Sequence, residues 1–200
     1  MSKFHIERLV VGEMKTNCYI IANLQIDKCI IIDPGDEADY IQRTISDLGA
    51  SPVAILATHG HFDHIMAARE LKLAYNIPFV CNPKDKFLLS RLRKTARYFL
   101  KVDTLPAPQI DMKLVGDYVF GACVLQVILS PGHTPGSVCL YEKSEKILFS
   151  GDLIFSDGYV GRTDFEYANE NELRKSIMEI RKLPKDTTVL PGHGEAFLLN

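Results

Sequence analysis

Five of the six histidines in this 200-residue chain fall in three glycine-flanked places, and any fold it adopts has to reconcile them. His59, His61 and His64 stand with Asp63 in the run Thr58-His59-Gly60-His61-Phe62-Asp63-His64. His133 follows Pro131-Gly132, and His193 lies between Gly192 and Gly194. Imidazoles and carboxylates arriving from separate loops are what a divalent transition metal needs. The plain alternative is a histidine-rich turn that ends a strand. It requires three such turns to coincide by chance. His5 has no such company and reads as a surface or strand residue.

The pattern of apolar runs and breakers places these turns. Strands are expected over 4–11, 17–23 and 29–33, the last stopped by Pro34-Gly35. A helix over 37–48 and a strand over 52–57 lead into the histidine run; a helix over 65–75, a strand over 79–82 and a longer helix over 84–101 follow it. The second half reads as strands over 118–120, 124–129, 137–141 and 147–151, a helix over 169–183 and a strand over 187–190. Asn169 is the expected N-cap of that helix, with Glu172 at the third position. Each half runs strands, a ligand-bearing loop, then helix, which suggests an internally duplicated, layered α/β sandwich. Every candidate ligand falls at the end of an expected strand, where a rigid sheet can hold a loop residue in place.

Bulk properties narrow the partners. With 46% hydrophobic residues the chain can bury a core, and no linker composition divides it, so one domain over 1–200 is expected. A net charge of −2 and a pI near 6.3 give no general footprint for nucleic acid or an anionic membrane. The first residues lack an apolar leader core, and no run nears the roughly 18 apolar residues of a membrane span. A cytoplasmic product is the expectation. Cys18, Cys29, Cys81, Cys123 and Cys139 are odd in number, form no CxxC and mostly sit in strand-like runs. They read as buried free thiols in a reducing compartment rather than as disulfides or a thiolate zinc site.

The order H-x-H-x-D-H, followed by a distant His, Asp and His, resembles the metallo-β-lactamase-fold hydrolases. The set here is His59, His61, Asp63, His64, His133, Asp152 and His193. The resemblance runs over nearly the whole chain and includes Asn17-Cys18-Tyr19, Asp33-Pro34-Gly35, Thr58-His59, Ser150-Gly151-Asp152 and Pro191-Gly192-His193. It implies a four-layer αββα sandwich and two divalent metal ions, zinc first, with iron or manganese accepting the same donors. By that analogy His59, His61 and His133 hold one ion, and Asp63, His64 and His193 the other. Asp152 bridges them together with a water or hydroxide. Two ions about 3.5–4 Å apart lower the pKa of such a water. Asp63 carries the one catalytic role implied, orienting the nucleophile and taking its proton. Taken alone, Asp152 after a glycine reads as a turn former and His193 as a plain turn residue. The 59–64 run decides against both.

Departures within the superfamily narrow the chemistry. Class B β-lactamases generally lack the Asp63-His64 pair together with a bridging Asp152. Flavo-diiron proteins carry Glu where this chain has His61, and N-acyl homoserine lactonases carry Tyr where it has Phe155. The tRNA 3′-processing nucleases are longer. What remains is the hydroxyacylglutathione hydrolase (glyoxalase II)-like branch and the related persulfide dioxygenases. Gly161-Arg162-Thr163-Asp164 is similar to a motif of both. Pro191-Gly192-His193-Gly194 is hydrolase-like. The resemblance therefore implies a thioesterase for hydroxyacyl-glutathione-type thioesters, with a small molecule as its partner and oligomeric state left open. An iron-dependent persulfide dioxygenase using His59, His133 and Asp152 is the alternative. A non-catalytic metal-binding module comes third, because a structural site is four-coordinate and closed. Longer glyoxalase II enzymes continue into a helical region that completes the glutathione site, whereas this sequence ends seven residues after His193, which leaves its exact thiol carrier open.

Two features carry paired readings. Arg162 either pairs with a substrate carboxylate or bridges to Asp164, the second reading ahead, and Asp164 is expected to orient a ligating histidine. The segment over 84–101 holds seven basic residues and one acid, and reads as a solvated amphipathic helix ahead of a lid over the metal cleft. Membrane or RNA binding by that helix is the weakest reading, given the acidic chain.

Overall fold

Apolar residues fill both faces of the central strands, so the layers follow from which alternate positions meet which neighbours. The computed structural model describes residues 4–199; the first three residues of the stretch read for a leader, and the last residue, lie outside it. The first half forms β1 (His5–Val11), β2 (Thr16–Asn23), β3 (Lys28–Ile32), α1 (Ala38–Asp47), β4 (Ser51–Leu56), α2 (Ala68–Tyr75), β5 (Phe79–Cys81), α3 (Lys86–Leu100) and β6 (Met112–Lys113). The second forms β7 (Tyr118–Phe120), β8 (Cys123–Leu129), β9 (Val138–Glu142), β10 (Ile147–Gly151), α4 (Glu170–Ile180), β11 (Thr188–Pro191) and β12 (Phe197–Leu198).

Each half builds one six-stranded sheet, ordered β1-β2-β3-β4-β5-β6 and β12-β11-β10-β9-β8-β7. Both are mixed. β1 to β3 are antiparallel and β3 to β6 parallel; β7 to β10 are antiparallel, β11 joins β10 in parallel, and β12 closes antiparallel.

Alternation sorts the core into three apolar layers. Tyr19, Ile21, Ile30, Ile32, Ala54 and Leu56 face Leu125, Leu140 and Phe149 between the sheets. Their neighbours Cys18, Ile20, Cys29, Ile31 and Ile55 point the other way, onto Ile41 and Ile45 of α1, Leu71 of α2 and Leu92 of α3. Cys139, Tyr141, Leu148 and Val189 meet Leu173 and Ile180 of α4. Helix, sheet, sheet, helix is the four-layer αββα sandwich the resemblance implies. Tyr19 ties the two sheets: its ring lies edge-on to Phe149 at 5.2 Å, and its hydroxyl donates to the Pro191 carbonyl at 2.7 Å.

Local differences from the sequence reading have physical causes. The helix expected over 65–75 begins only at Ala68, because Phe62–His64 form a 3-10 turn and the Ala67 amide donates to Pro34. The helix expected over 84–101 begins at Lys86, after a 3-10 turn over Pro83–Asp85 that the Asn82 side chain caps. The helix over 169–183 ends at Ile180, and the Asn169 side chain accepts from the Glu172 amide as expected. β6 and β12 were not anticipated; two residues each show no period. His5 lies in β1 beside Glu7. All five cysteines are buried and none is paired. Among the described residues no helix is long and apolar enough to cross a membrane.

Candidate metal centre and active-site cleft

Four strand ends deliver the candidate ligands. His59, His61, Asp63 and His64 follow β4, His133 follows β8, Asp152 follows β10 and His193 follows β11. The structure brings all seven together. Ligand atoms of His59, His61 and His133 lie within 4.8 Å of one another, and so do those of Asp63, His64 and His193. Asp152 sits between the two groups, with Oδ1 3.3 Å from His64 Nε2, and Oδ2 3.5 Å from His133 Nε2 and 3.7 Å from His193 Nε2. Asp63 Oδ2 lies 3.4 Å from His193 Nε2.

What each imidazole does with its outer nitrogen fixes what its inner nitrogen offers. His133 Nδ1 donates to the Arg162 carbonyl at 2.9 Å, and His193 Nδ1 to the Lys15 carbonyl at 3.3 Å. His64 Nδ1 donates to Asp33 Oδ2 at 3.1 Å. The Thr58 hydroxyl donates to that same carboxylate at 2.6 Å, so its oxygen accepts from His59 Nδ1 at 3.1 Å. Partners that can only accept, or have spent their proton, leave Nε2 of all four rings as an inward lone pair. His61 presents Nδ1 inward, 3.1 Å from His59 Nε2 and 2.9 Å from His133 Nε2, while its Nε2 meets the Tyr167 hydroxyl at 2.9 Å.

Electrostatics favour a cation in the middle. Burial, reinforced by neighbouring imidazoles, holds His59 well below the usual histidine range and pulls His61 down to about 3. Burial works against charge on Asp152 and Asp63, yet His64 beside them keeps both carboxyls below the usual range. Burial is likewise overcome at His64, pushed up by Asp152 and Asp63, so the two carboxylates favour positive charge at this point. His64 Nε2 and Asp152 Oδ1 are buried and close, but their geometry makes no hydrogen bond, leaving both directed at shared space. Three or more unfilled donors on each side of a bridging-placed carboxylate fit two metal ions.

The backbone leaves no slack here. A Cβ on Gly192 would stand 2.2 Å from Asp152 Oδ1, and one on Gly35 2.0 Å from the Asp63 carbonyl. Asp85, fully buried, accepts from the Gly60 amide at 2.8 Å, the Thr134 hydroxyl at 2.7 Å and the Gly136 amide at 2.7 Å. One carboxylate thus locks the loop of His59 and His61 to the loop of His133.

Sequence reasoning assigned no role to Asp33, Thr58, Asp85 or Tyr167. Asp33 and Thr58 stood in the motifs of the resemblance, and Asp85 was the lone acid of a basic segment; Tyr167 carried no signal. Arg162 and Asp164 pair with each other through two hydrogen bonds of 2.9 and 2.6 Å, the reading placed ahead. Asp164 does not orient a histidine; the Arg162 backbone carbonyl does that for His133, because the side chain of Asp164 is taken by Arg162. α3 lends Thr95 and Phe99 to the wall of a cleft of about 490 Å³ over the site, while Arg91, Arg93 and Lys94 face solvent.

Two sheets with a His/Asp cluster across their strand ends make a framework suited to metal-dependent chemistry, and comparison with known proteins identifies the class as metal-dependent hydrolases. The sequence pattern of the metallo-beta-lactamase superfamily matches residues 11–193, and the chain belongs to that superfamily. A probable metallo-hydrolase, YqgX, of Bacillus subtilis is 37% identical, covering 94% of this chain and 89% of its own. The hydroxyacylglutathione hydrolase GloC of Haemophilus influenzae is 32% identical, covering 95% and 91%. Among solved structures, the BLEG-1 B3 metallo-beta-lactamase superposes with a TM-score of 0.90 at 31% identity, covering 98% and 94%. TTHA1623 in a di-iron-bound form gives 0.87 at 33%, covering 96% and 94%.

Proposed function

We propose that this protein is a binuclear thioesterase that hydrolyses hydroxyacyl-glutathione-type thioesters. The observation that carries the reading is the set of five imidazoles, each pinned by its outer nitrogen and facing inward around Asp152. His59, His61 and His133 would hold one ion, Asp63, His64 and His193 the other, and Asp152 both. When bound, two divalent ions lower the pKa of a water and offset charge developing on a carbonyl oxygen.

The chain's own groups do the rest. Asp63, whose Oδ2 accepts from the Thr16 hydroxyl at 3.5 Å, would take the proton that the attacking water gives up. Water adds to the acyl carbon, the C–S bond breaks, and the sulfur leaves with its electron pair, taking a proton to become the thiol. A thiolate leaves readily, so no dedicated acid is required. With His61 Nε2 donating to Tyr167, the phenolic hydrogen is free to point into the cleft and meet a substrate oxygen. Zinc is the favoured ion on donor chemistry, although the di-iron-bound neighbour keeps iron in view. The five unpaired thiols support a reducing, cytoplasmic compartment.

The GloC relative supports the thioester reading. A persulfide dioxygenase working with His59, His133 and Asp152 alone would leave the pinned His61, His64 and His193 without a role. The BLEG-1 neighbour makes β-lactams the comparison substrate to include.

The test is thiol release from S-lactoylglutathione by protein loaded with zinc, iron or manganese, against chelator-stripped protein. Metal-dependent release with about two ions per chain is expected. Hydrolysis of a β-lactam instead, or oxygen uptake on glutathione persulfide with one iron per chain, would overturn it.

A further inference from the structure

The cleft over the metal centre is walled by rings. Phe62 and Phe99 stack face to face, with centroids 5.7 Å apart and planes 4° from parallel. Phe165 and Tyr167 do the same at 5.3 Å and 8°. Phe165 reaches the metal centre, 5.4 Å from the His61 ring, and Phe155 lies 6.3 Å from His193. Both stacked pairs, and Phe155, line the cleft.

Charge is distributed in the opposite sense to what glutathione needs. Apart from the candidate ligands, the charged side chains among the described lining residues are Asp157 and Arg162. Asp157 repels a carboxylate. Arg162 is committed to Asp164 through Nε and Nη2, and its guanidinium lies over the Phe165 ring at 4.9 Å. A substrate carboxylate would have to displace Asp164 from it, exchanging one ion pair for another with little net gain. Arg91, the next cation, is stacked over Phe87 and does not line the cleft. The two carboxylates of glutathione therefore find no unpaired side-chain cation in the cleft. An uncharged ring instead meets an aromatic wall beside the candidate ligands, with Phe165 near His61 and Phe155 near His193.

We infer that the cleft selects thioesters whose non-reacting part is uncharged and aryl-sized, and that glutathione is a tolerated rather than a recognised carrier. This rests on the thioesterase reading and names the substrate class within it.

Non-reactive thioethers test the binding half directly. Calorimetric titration of metal-loaded protein with N-acetyl-S-benzylcysteamine and with S-benzylglutathione is expected to show the uncharged ligand binding at least ten-fold tighter. Phe99→Ala, at a half-exposed position, should weaken both ligands by a similar factor because both carry the benzyl ring, with a cooperative thermal transition to show that the fold is intact. Equal affinity for both ligands in the unaltered protein, or tighter binding of S-benzylglutathione, overturns the inference.

Turnover separates the inference from the reading beneath it. S-phenylacetyl-N-acetylcysteamine should give a kcat/KM at least ten-fold above S-lactoylglutathione. If both are cleaved and the glutathione ester is the better substrate, the selectivity falls and the thioesterase stands. If neither is cleaved while the thioether preference holds, the thioesterase falls and the ligand preference stands.

Discussion

At the scale of single residues, Asp33 orients a histidine of each candidate metal site. One oxygen accepts from His64 directly and from the Thr58 hydroxyl, and Thr58 in turn orients His59. The other oxygen holds the Thr58 amide at 2.7 Å. Two histidines, one from each candidate metal site, thus owe their tautomer to one buried carboxylate. Asp33→Ala should weaken metal retention about 10–100-fold, the usual range for loss of a partner that orients a ligand. Competition against a chromogenic chelator measures this. Retention equal to the unaltered protein would show that the two rings hold their orientation without Asp33.

At the scale of elements, α4 supports the candidate metal centre through its first two turns. The Asn169 side chain caps the helix, its backbone amide donates to the Gly132 carbonyl at 2.8 Å, and Ser176 donates to the Pro131 carbonyl at 2.8 Å. The loop carrying His133 therefore rests on the helix N-terminus. A Cβ on Gly132 would stand 2.3 Å from the Leu173 nitrogen, so helix and loop touch backbone to backbone. Asn169→Ala should cost about 1 kcal/mol, the common value for a lost N-cap, read as a lower midpoint in urea unfolding. An unchanged midpoint would mean that the tertiary contacts of the first turn hold the helix end without the cap.

At the scale of the whole molecule, chemistry was more legible in the sequence than layering. The candidate ligands announce themselves because histidine is scarce and glycine-flanked turns are few; Asp33 does not, because it reads only as the end of a strand that Pro34-Gly35 stops. Its partner Thr58 lies 25 residues away, a separation that only the parallel pairing of β3 and β4 closes. The run Cys29-Ile30-Ile31-Ile32 shows a buried strand but hides which residues face the second sheet, since both faces are apolar. The order of elements suggests a layered sandwich, but its four-layer form rested on resemblance and its register came only with the structure. The same double burial makes a prediction about thiols. Burial pushes Cys29, Cys123 and Cys139 up to about 12, and Cys18 and Cys81 well above the ordinary thiol range. A thiolate is the reactive form, so at pH 8 the folded protein should consume almost none of a thiol-specific chromogenic disulfide, and the unfolded protein five equivalents. Fast reaction of one thiol in the native state would show an opening of that strand.

The outward tethering of the five imidazoles has one more consequence. Each ring is held by the polypeptide itself, through Arg162, Lys15, Asp33, Thr58 or Tyr167, so its orientation is set by hydrogen bonds of the fold. None of these tethers distinguishes one divalent ion from another. Protein loaded with zinc and protein loaded with iron are therefore expected to show the same five outer contacts, which crystal structures of the two preparations would check.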